Sequence, residues 1–158
     1  MKQRPVIALL TDFGSSGAYA AAMKGVILSA CASAQIIDIA HSIGPQNIDE
    51  AAYVLWSVYK YFPAGTIFIC VVDPGVGSKR NIMYLETDNY CFLAPDNGLL
   101  KFVLGSDSPK SVRSVTNSTL FLNPVSSTFH GRDIFAPVAA TLANGLSSAK
   151  VGSEYKPE

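Results

Sequence analysis

The sequence predicts an α/β chain: an open, mostly parallel sheet in three layers, with helices on both faces. Three observations carry that expectation. Short apolar, β-branched runs at residues 6–10, 35–41 and 66–72 alternate with helix-forming stretches at 18–30 and 47–62. Strand, helix, strand in that order is a βαβ unit, whose connection is right-handed and whose strands pair in parallel. The run at 66–72 is flanked by Pro63, Gly65 and Pro74, so its length and borders suit a buried strand rather than a helix.

The first run, Val6 to Leu10, ends in Thr11, Asp12, Phe13, Gly14, Ser15, Ser16 and Gly17, a turn with glycine and serine. Ala20, Ala21, Ala22, Met23, Lys24 and Leu28 favour a helix over 18–30, with Ser15 or Ser16 expected as its N-cap. Asn47 and Glu50 form a capping-box pattern, with Asp49 and Glu50 in the first turn where the helix dipole favours acids. Ala52, Leu55, Trp56, Tyr59 and Phe62 follow at helical spacing and are expected in the core, and Pro63 ends the helix.

The third strand runs into Asp73, Pro74, Gly75, Val76, Gly77, Ser78, Lys79 and Arg80. Pro74 cannot continue a ladder, and Gly75 and Gly77 allow conformations that a Cβ resists, so Asp73 is expected on a tight turn within reach of Arg80. Residues 81–94 alternate around Asp88 and Asn89 and read as a hairpin ending in Pro95, Asp96, Asn97 and Gly98. A short helix over 99–104, an extended segment over 111–116 and a polar surface loop over 117–127 are expected next. The last helix runs through Ala143 and stops at Asn144 and Gly145. Pro137 lacks an amide proton, so this helix starts at most about one turn earlier and His130 lies on the loop feeding it.

At 158 residues the chain suits one domain, expected over 1–152, with 153–158 as a polar tail or the start of a linker. Twelve basic and twelve acidic residues cancel, with no basic run, which argues against nucleic-acid or membrane-surface binding. The N-terminal apolar run breaks after five residues, too short for a signal core, and no run approaches a membrane span. Cys31, Cys70 and Cys91 are odd in number and set among apolar residues, so they read as buried, reduced thiols of a cytoplasmic protein. No paired-histidine spacing supports a metal site and no metal is expected; no glycine-rich dinucleotide or phosphate loop and no Gly-x-Ser-x-Gly elbow occurs.

In open α/β sheets ligands bind beyond the carboxyl ends of the strands, and Asp12, His41, Asp73 and Asp96 all stand at expected strand ends. Beside Ser42, His41 reads as a structural hydrogen-bonder, and Asp38 and Asp96 as turn or rim residues.

Four motifs, in order, carry a resemblance. Leu10-Thr11-Asp12-Phe13-Gly14, Asp73-Pro74-Gly75-Val76-Gly77 with Arg80, Ala94-Pro95-Asp96-Asn97-Gly98, and Thr128-Phe129-His130-Gly131-Arg132-Asp133 together resemble the S-adenosyl-L-methionine hydroxide adenosyltransferases, relatives of the fluorinase and chlorinase enzymes. The resemblance implies hydrolysis of S-adenosyl-L-methionine, as substrate and with no cofactor, to adenosine and methionine by attack of water or hydroxide on the ribose 5′ carbon. It implies Asp73, Arg80 and His130 as the catalytic trio. Asp12 would bind the ribose hydroxyls, Thr128 and Phe129 would line the sugar and reaction centre, and Phe13, Gln46 and Asn97 are further substrate-binding candidates. Halogenating relatives alter the Asp-Pro-Gly-Val-Gly turn; retention of Asp73 and Arg80, with Gly131 after His130, resembles the water-using branch. Gly17 stands where relatives carry an acid near the methionine amino group.

The implied chemistry makes physical sense. A sulfonium releases a neutral thioether, so no general acid is needed and the demand falls on the nucleophile. Arginine is never a base in proteins, whereas a histidine ordinarily titrates near about 6.5 and an aspartate near about 4, which favours His130 as base and Asp73 as orienter; the two roles remain exchangeable on sequence grounds. The family also implies a homotrimer, with the adenine side of each site supplied by a C-terminal β-rich domain that this sequence does not reach. The chain by itself is therefore expected to be incomplete as an enzyme unless another chain supplies that domain. A non-catalytic adenosyl-ligand binding or assembly module shares the fold and would lack turnover, while a general hydrolase using His130 and Asp73 would act on esters.

Overall fold

The computed structural model describes residues 3–14 and 17–157. Among them, six strands form one sheet in the order β2-β1-β3-β5-β4-β6: β1 is Val6–Thr11, β2 Gln35–Ala40, β3 Ile67–Val71, β4 Ile82–Glu86, β5 Cys91–Pro95 and β6 Ser111–Ser114. β2, β1, β3 and β5 are mutually parallel, while β4 runs antiparallel to both β5 and β6. The α-helices are α1 (Tyr19–Ala30), α2 (Ile48–Val58), α3 (Lys101–Ser106) and α4 (Ala136–Ala143). The three-layer, mostly parallel α/β architecture read from the sequence is the one observed.

Strand alternation divides the core in two. On one face Ile7, Leu9, Ile67, Ile69 and Val71 pack with Met23 and Ile27 of α1 and Val138 and Ala139 of α4. On the other, Ala8, Leu10, Phe68 and Cys70 pack with Ala51 and Leu55 of α2 and Val103 of α3. β3 is buried along its whole length, and each large side chain there contributes about 1.5–3 kcal/mol of burial free energy. The Phe68 and Phe92 rings stack at 4.9 Å, with Tyr59 edge-on to both. Burial pushes the Cys70 thiol well above its ordinary pKa, so it is an inert part of this core.

The chain goes from β1 to β2 through α1, then returns across β1 to β3 through α2. Two right-handed crossovers that travel in opposite directions leave their helices on opposite faces, and a crevice opens between the carboxyl ends of β1 and β3. That topological switch point is where the candidate site lies.

Several local expectations need correction. Ser15 and Ser16 lie outside the described residues; Ala18 occupies the N-cap position of α1 and makes no side-chain capping bond. Trp56 is 46% exposed, beside the exposed Tyr53 and Phe102, because the helix turns Ala51, Ala52 and Leu55 inward, with Tyr59 buried just after it. Its indole N–H donates to Ser106 Oγ at 3.0 Å instead. The short helix begins two residues later than expected, after Asn97 Oδ1 accepts the Leu99 amide and Lys101 N–H closes a turn on Gly98. β6 ends at Ser114 rather than Thr116, and Leu120 and Phe121 in the following loop pack against the core. Cys31, Cys70 and Cys91 are all unpaired, but Cys91 is only partly buried.

The polar tail is docked: Arg113 and Glu154 form an antiparallel bridge, the Ser114 amide donates to Ser153 and the Tyr155 amide to Val112. Tyr155 Oη donates to Asp96 at 3.1 Å. A Cβ on Gly152 would overlap the Ser114 carbonyl, so only glycine lets the tail approach the β6 edge this closely. Among the described residues no helix is long and apolar enough to cross a membrane.

The N-terminus of α2 follows the expected pattern with a variation. Asn47 Oδ1 accepts the Glu50 amide at 3.0 Å, and the Glu50 carboxylate reaches back to the Gly44 amide and the Asn47 side chain. Asn47→Ala is expected to lower the unfolding free energy by about 1 kcal/mol. A urea titration reads this as a lower midpoint with unchanged slope, and an unchanged midpoint would show that the cap does not hold the helix start.

Candidate active site

Asp12 follows the last residue of β1, and Asp73 stands two residues beyond β3. Parallel pairing puts Thr11 opposite Val71, so both chains leave the sheet at one level and both carboxylates reach the crevice. Asp12 Oδ2 accepts the Gln46 backbone N–H at 2.8 Å. Asp73 Oδ1 accepts the Gly75 N–H at 2.9 Å, closing an Asx turn, and Arg80 Nη1 at 3.1 Å. Asp73 is therefore an acceptor held by two donors on one oxygen, while Oδ2 carries no hydrogen bond from the described residues.

The third contribution comes from the loop before α4. Pro137 cannot donate to the Asp133 carbonyl four residues back, and that carbonyl accepts the Leu122 N–H at 2.9 Å instead. The backbone over Gly131–Phe135 widens to a π-helical turn, with the Ala136 N–H reaching Gly131. His130 caps this turn: helical backbone begins at Gly131, six residues before Pro137 rather than the one turn expected, because the π-helical turn lets the Asp133 carbonyl pair with Leu122 instead. The Asp133 carboxylate, only 1% exposed, faces back and accepts the Ser126 N–H at 2.7 Å and the Arg132 guanidinium at 2.7 and 3.1 Å. The Arg132 fork, with the Ser126 amide, holds the Asp133 carboxyl below the usual carboxylate range against the opposing effect of burial.

Two glycines let these loops meet. Gly77 has φ +81°, and a Cβ there would come within 2.6 Å of the Ser127 carbonyl, so the Asp73 turn and the His130 loop touch backbone to backbone. A Cβ on Gly131 would press on Phe13 and on Met23 Sδ. Phe13, Tyr19 and Phe129 form an edge-on cluster with centroids 4.9–5.9 Å apart, and the Arg132 guanidinium lies 4.8 Å from the Phe129 ring centroid.

The result is a small cavity of about 50 Å³ lined chiefly by Asp12, Phe13, Asp73, Thr128, Phe129 and His130. The His130 ring makes no hydrogen bond with the described residues and is free to handle a proton. Six of the nine residues singled out in the sequence meet here. Arg80 does not line this cavity: it reaches Asp73 from the far side and borders a separate polar cleft of about 250 Å³ with Lys79, Asn81 and Asp96. Gln46, at φ +61°, contributes its backbone amide to Asp12, and Asn97 spends its side chain on the Val72 carbonyl and the Leu99 amide. Among the described residues no cluster of three or more His, Cys, Asp or Glu side chains could hold a metal ion.

His41 behaves as the structural hydrogen-bonder it was read to be, joining Thr11 Oγ1 and Asp38 Oδ1 at 2.7 Å each. Sequence reasoning missed Asp133 and Tyr19. Asp133 had a legible signal, since a proline four residues later frees its carbonyl and an adjacent arginine can pair with its carboxylate. Tyr19 had none, because its partners lie on other loops.

Comparison with known proteins places the chain in a family. The chain is 37% identical over 163 residues to a protein from Salinispora arenicola named (R)-S-adenosyl-L-methionine hydrolase, covering 99% of this chain and 60% of that protein. It is 41% identical over 158 residues to a protein of the same name from Methanocaldococcus jannaschii, covering 96% of this chain and 59% of the relative. The crystal structure of an uncharacterized conserved protein from Thermotoga maritima superposes with a TM-score of 0.93 at 42% identity, covering 95% of this chain and 58% of that one. The chain thus spans about three-fifths of the length of the relatives it matches. Residues 7–152 match the model of the SAM hydroxide adenosyltransferase N-terminal domain, and the chain belongs to that family.

Proposed function

We propose that the protein hydrolyses S-adenosyl-L-methionine to adenosine and L-methionine, with the ribose 5′ carbon held at the β1/β3 crevice. The observation that carries this reading is the meeting of Asp73 and His130, from loops distant in sequence, in one cavity with Asp12. The names of the relatives support the substrate.

In the proposed reaction a water oxygen attacks the 5′ carbon in line with the departing sulfur. A C–O bond forms, the C–S bond breaks with its electron pair going to sulfur, and methionine leaves with a neutral thioether. The proton shed by the water goes to His130, whose ring has no competing hydrogen bond. Asp73 keeps Oδ2 for orienting the water while Oδ1 is fixed by Gly75 and Arg80. Arg80 acts through Asp73: from outside the cavity it pairs with Oδ1 and holds that carboxylate in place. Asp12 Oδ1, left free by the Gln46 contact, accepts from the ribose hydroxyls. Phe13, Thr128 and Phe129 exclude solvent from the reacting carbon.

A cavity of about 50 Å³ is far smaller than the roughly 300 Å³ at the low end for small-molecule sites. These residues therefore form one wall, and we assign the adenine-facing wall to a further domain of a neighbouring subunit in a homotrimer. A cytoplasmic location belongs to the same proposal and accords with the three unpaired cysteines.

The test is incubation of the purified protein with S-adenosyl-L-methionine and quantitation of adenosine and methionine. Slow equimolar release is expected from this chain alone, and faster release once a chain supplying the adenine-facing wall is added; binding of adenosine without release of either product under both conditions would make the protein a binding module. His130→Ala is expected to lower kcat by about 10²–10⁴ with an unchanged circular-dichroism spectrum, the usual range for loss of a general base. Full activity in that variant would move the proton to Asp73 or to solvent.

Asp12→Ala is expected to raise KM rather than lower kcat, since each hydrogen bond to a charged group contributes about 1.5–3 kcal/mol. That corresponds to a loss of affinity of about tenfold or more, measurable by calorimetry with adenosine. Unaltered adenosine affinity would remove Asp12 from the ribose site.

A further inference from the structure

Behind the substrate-facing turn lies a hydrogen-bond chain whose side chains, those of Lys24, Asp38, His41 and Thr11, do not line the cavity. Lys24 Nζ donates to Asp38 Oδ2 at 2.6 Å, and His41 Nε2 meets Asp38 Oδ1 at 2.7 Å. His41 Nδ1 meets Thr11 Oγ1 at 2.7 Å, and the Phe13 N–H donates to the same Oγ1 at 3.2 Å. The His41 carbonyl accepts the Gly14 N–H at 2.6 Å.

Donor counting fixes the direction of the chain. Lys24 and His41 hydrogen bonds outweigh the effect of burial and hold the Asp38 carboxyl below the ordinary aspartate range, so it is ionised and can only accept. His41 Nε2 is therefore the donor to Asp38. The buried Thr11 hydroxyl has no other acceptor among the described residues, so it donates to His41 Nδ1 and keeps a lone pair for the Phe13 amide. Each group has one use, and Thr11 is fully buried, so its hydroxyl has no recourse to water.

The topology gives the chain its purpose. Thr11 ends β1 before the turn, Lys24 stands on α1 after it, and both are tied to Asp38 and His41 at the end of the neighbouring strand β2. The loop after β2 adds a second joint through the Gln46 amide on Asp12. Asp12 and Phe13, which face the cavity, are thus held from behind by β2 and the loop that follows it.

We propose that Thr11 and His41 are positioning residues of the substrate-binding turn, setting the backbone of Asp12, Phe13 and Gly14 before substrate arrives through a hydrogen-bond chain anchored on Asp38 and Lys24. The inference rests on the proposed reading of Asp12 as the ribose acceptor. Neither Thr11 nor His41 touches the reacting atoms. Their removal costs affinity, not chemistry: the turn samples other conformations, and substrate must select the competent one.

Thr11→Val keeps the shape and strand preference of the side chain and deletes the hydroxyl; Thr11→Ser restores it. The valine variant is expected to raise KM for S-adenosyl-L-methionine about tenfold with kcat within about twofold of wild type, and to speed exchange of the Phe13 and Gly14 amide protons about tenfold. The serine variant is expected to recover both. Asp38→Asn, on the exposed edge strand, is expected to shift KM and amide exchange in the same direction by about threefold, and it decides the matter if the valine variant does not fold. Faster exchange with unchanged KM, an equal fall in kcat, or no response in either readout overturns the inference. Should the wild-type protein show no turnover, the proposed function fails separately, and adenosine affinity in place of KM, with amide exchange, still decides the role of Thr11 and His41.

Discussion

The parallel register of β1 on β3 is the constraint on which the rest of the site depends. With Thr11 opposite Val71, the two strands end at the same height, and their next residues emerge side by side at the point where the crossovers diverge. A slip of one residue would send alternate side chains to the opposite face, exchanging the two halves of the core. The register is therefore fixed by burial on both faces, with Leu9 and Ile69 on one side and Leu10 and Cys70 on the other. Core packing, in this sense, determines the spacing of the two carboxylates.

The second carboxylate then recruits the remaining machinery. Asp73 closes its own turn on Gly75 and draws Arg80 across it, and the same turn brings Gly77 against Ser127. From that contact the chain runs through Thr128 and Phe129 to His130, with Asp133 holding the loop from inside. Polar groups withdrawn from water at this rim each have a named partner, as burial demands. The groups with no hydrogen bond from the described residues, Asp73 Oδ2, Asp12 Oδ1 and the His130 ring, belong to residues that line the cavity.

The charges are arranged in opposed pairs rather than accumulated. Arg80 neutralises Asp73, Arg132 neutralises Asp133, and Lys24 neutralises Asp38. Asp12 is met by a backbone amide and, among the described residues, by no cation. The aromatic cluster of Phe13, Tyr19 and Phe129 walls the same turn on the apolar side, and Arg132 covers the Phe129 ring. The aromatic cluster and the paired carboxylates thus occupy adjacent loops of one rim.

Much of this was legible in one dimension. The alternation of apolar runs and helical stretches determined the α/β class, the strands that matter and the rim on which Asp12, Asp73 and Asp96 would emerge, because hydrophobic period and strand-end position are local properties. Pro137 suggested a helix start about one turn earlier, but a π-helical turn carries the helical backbone back to Gly131, which the offset of a missing amide proton does not reveal. The residues of the four motifs determined the family. Only the tertiary structure decided that Arg80 lies behind Asp73 and outside the cavity, that Gln46 acts through its backbone, that Asn97 is spent on Val72, and that Trp56 faces outward. It also decided that Tyr155 closes on Asp96 and that His41 ties Thr11 to Asp38. The physical reason is common to these cases. Which atom of a polar residue is free, and which face of a helix is covered, depends on partners brought in from distant segments by the sheet order, and spacing along the chain carries no record of them.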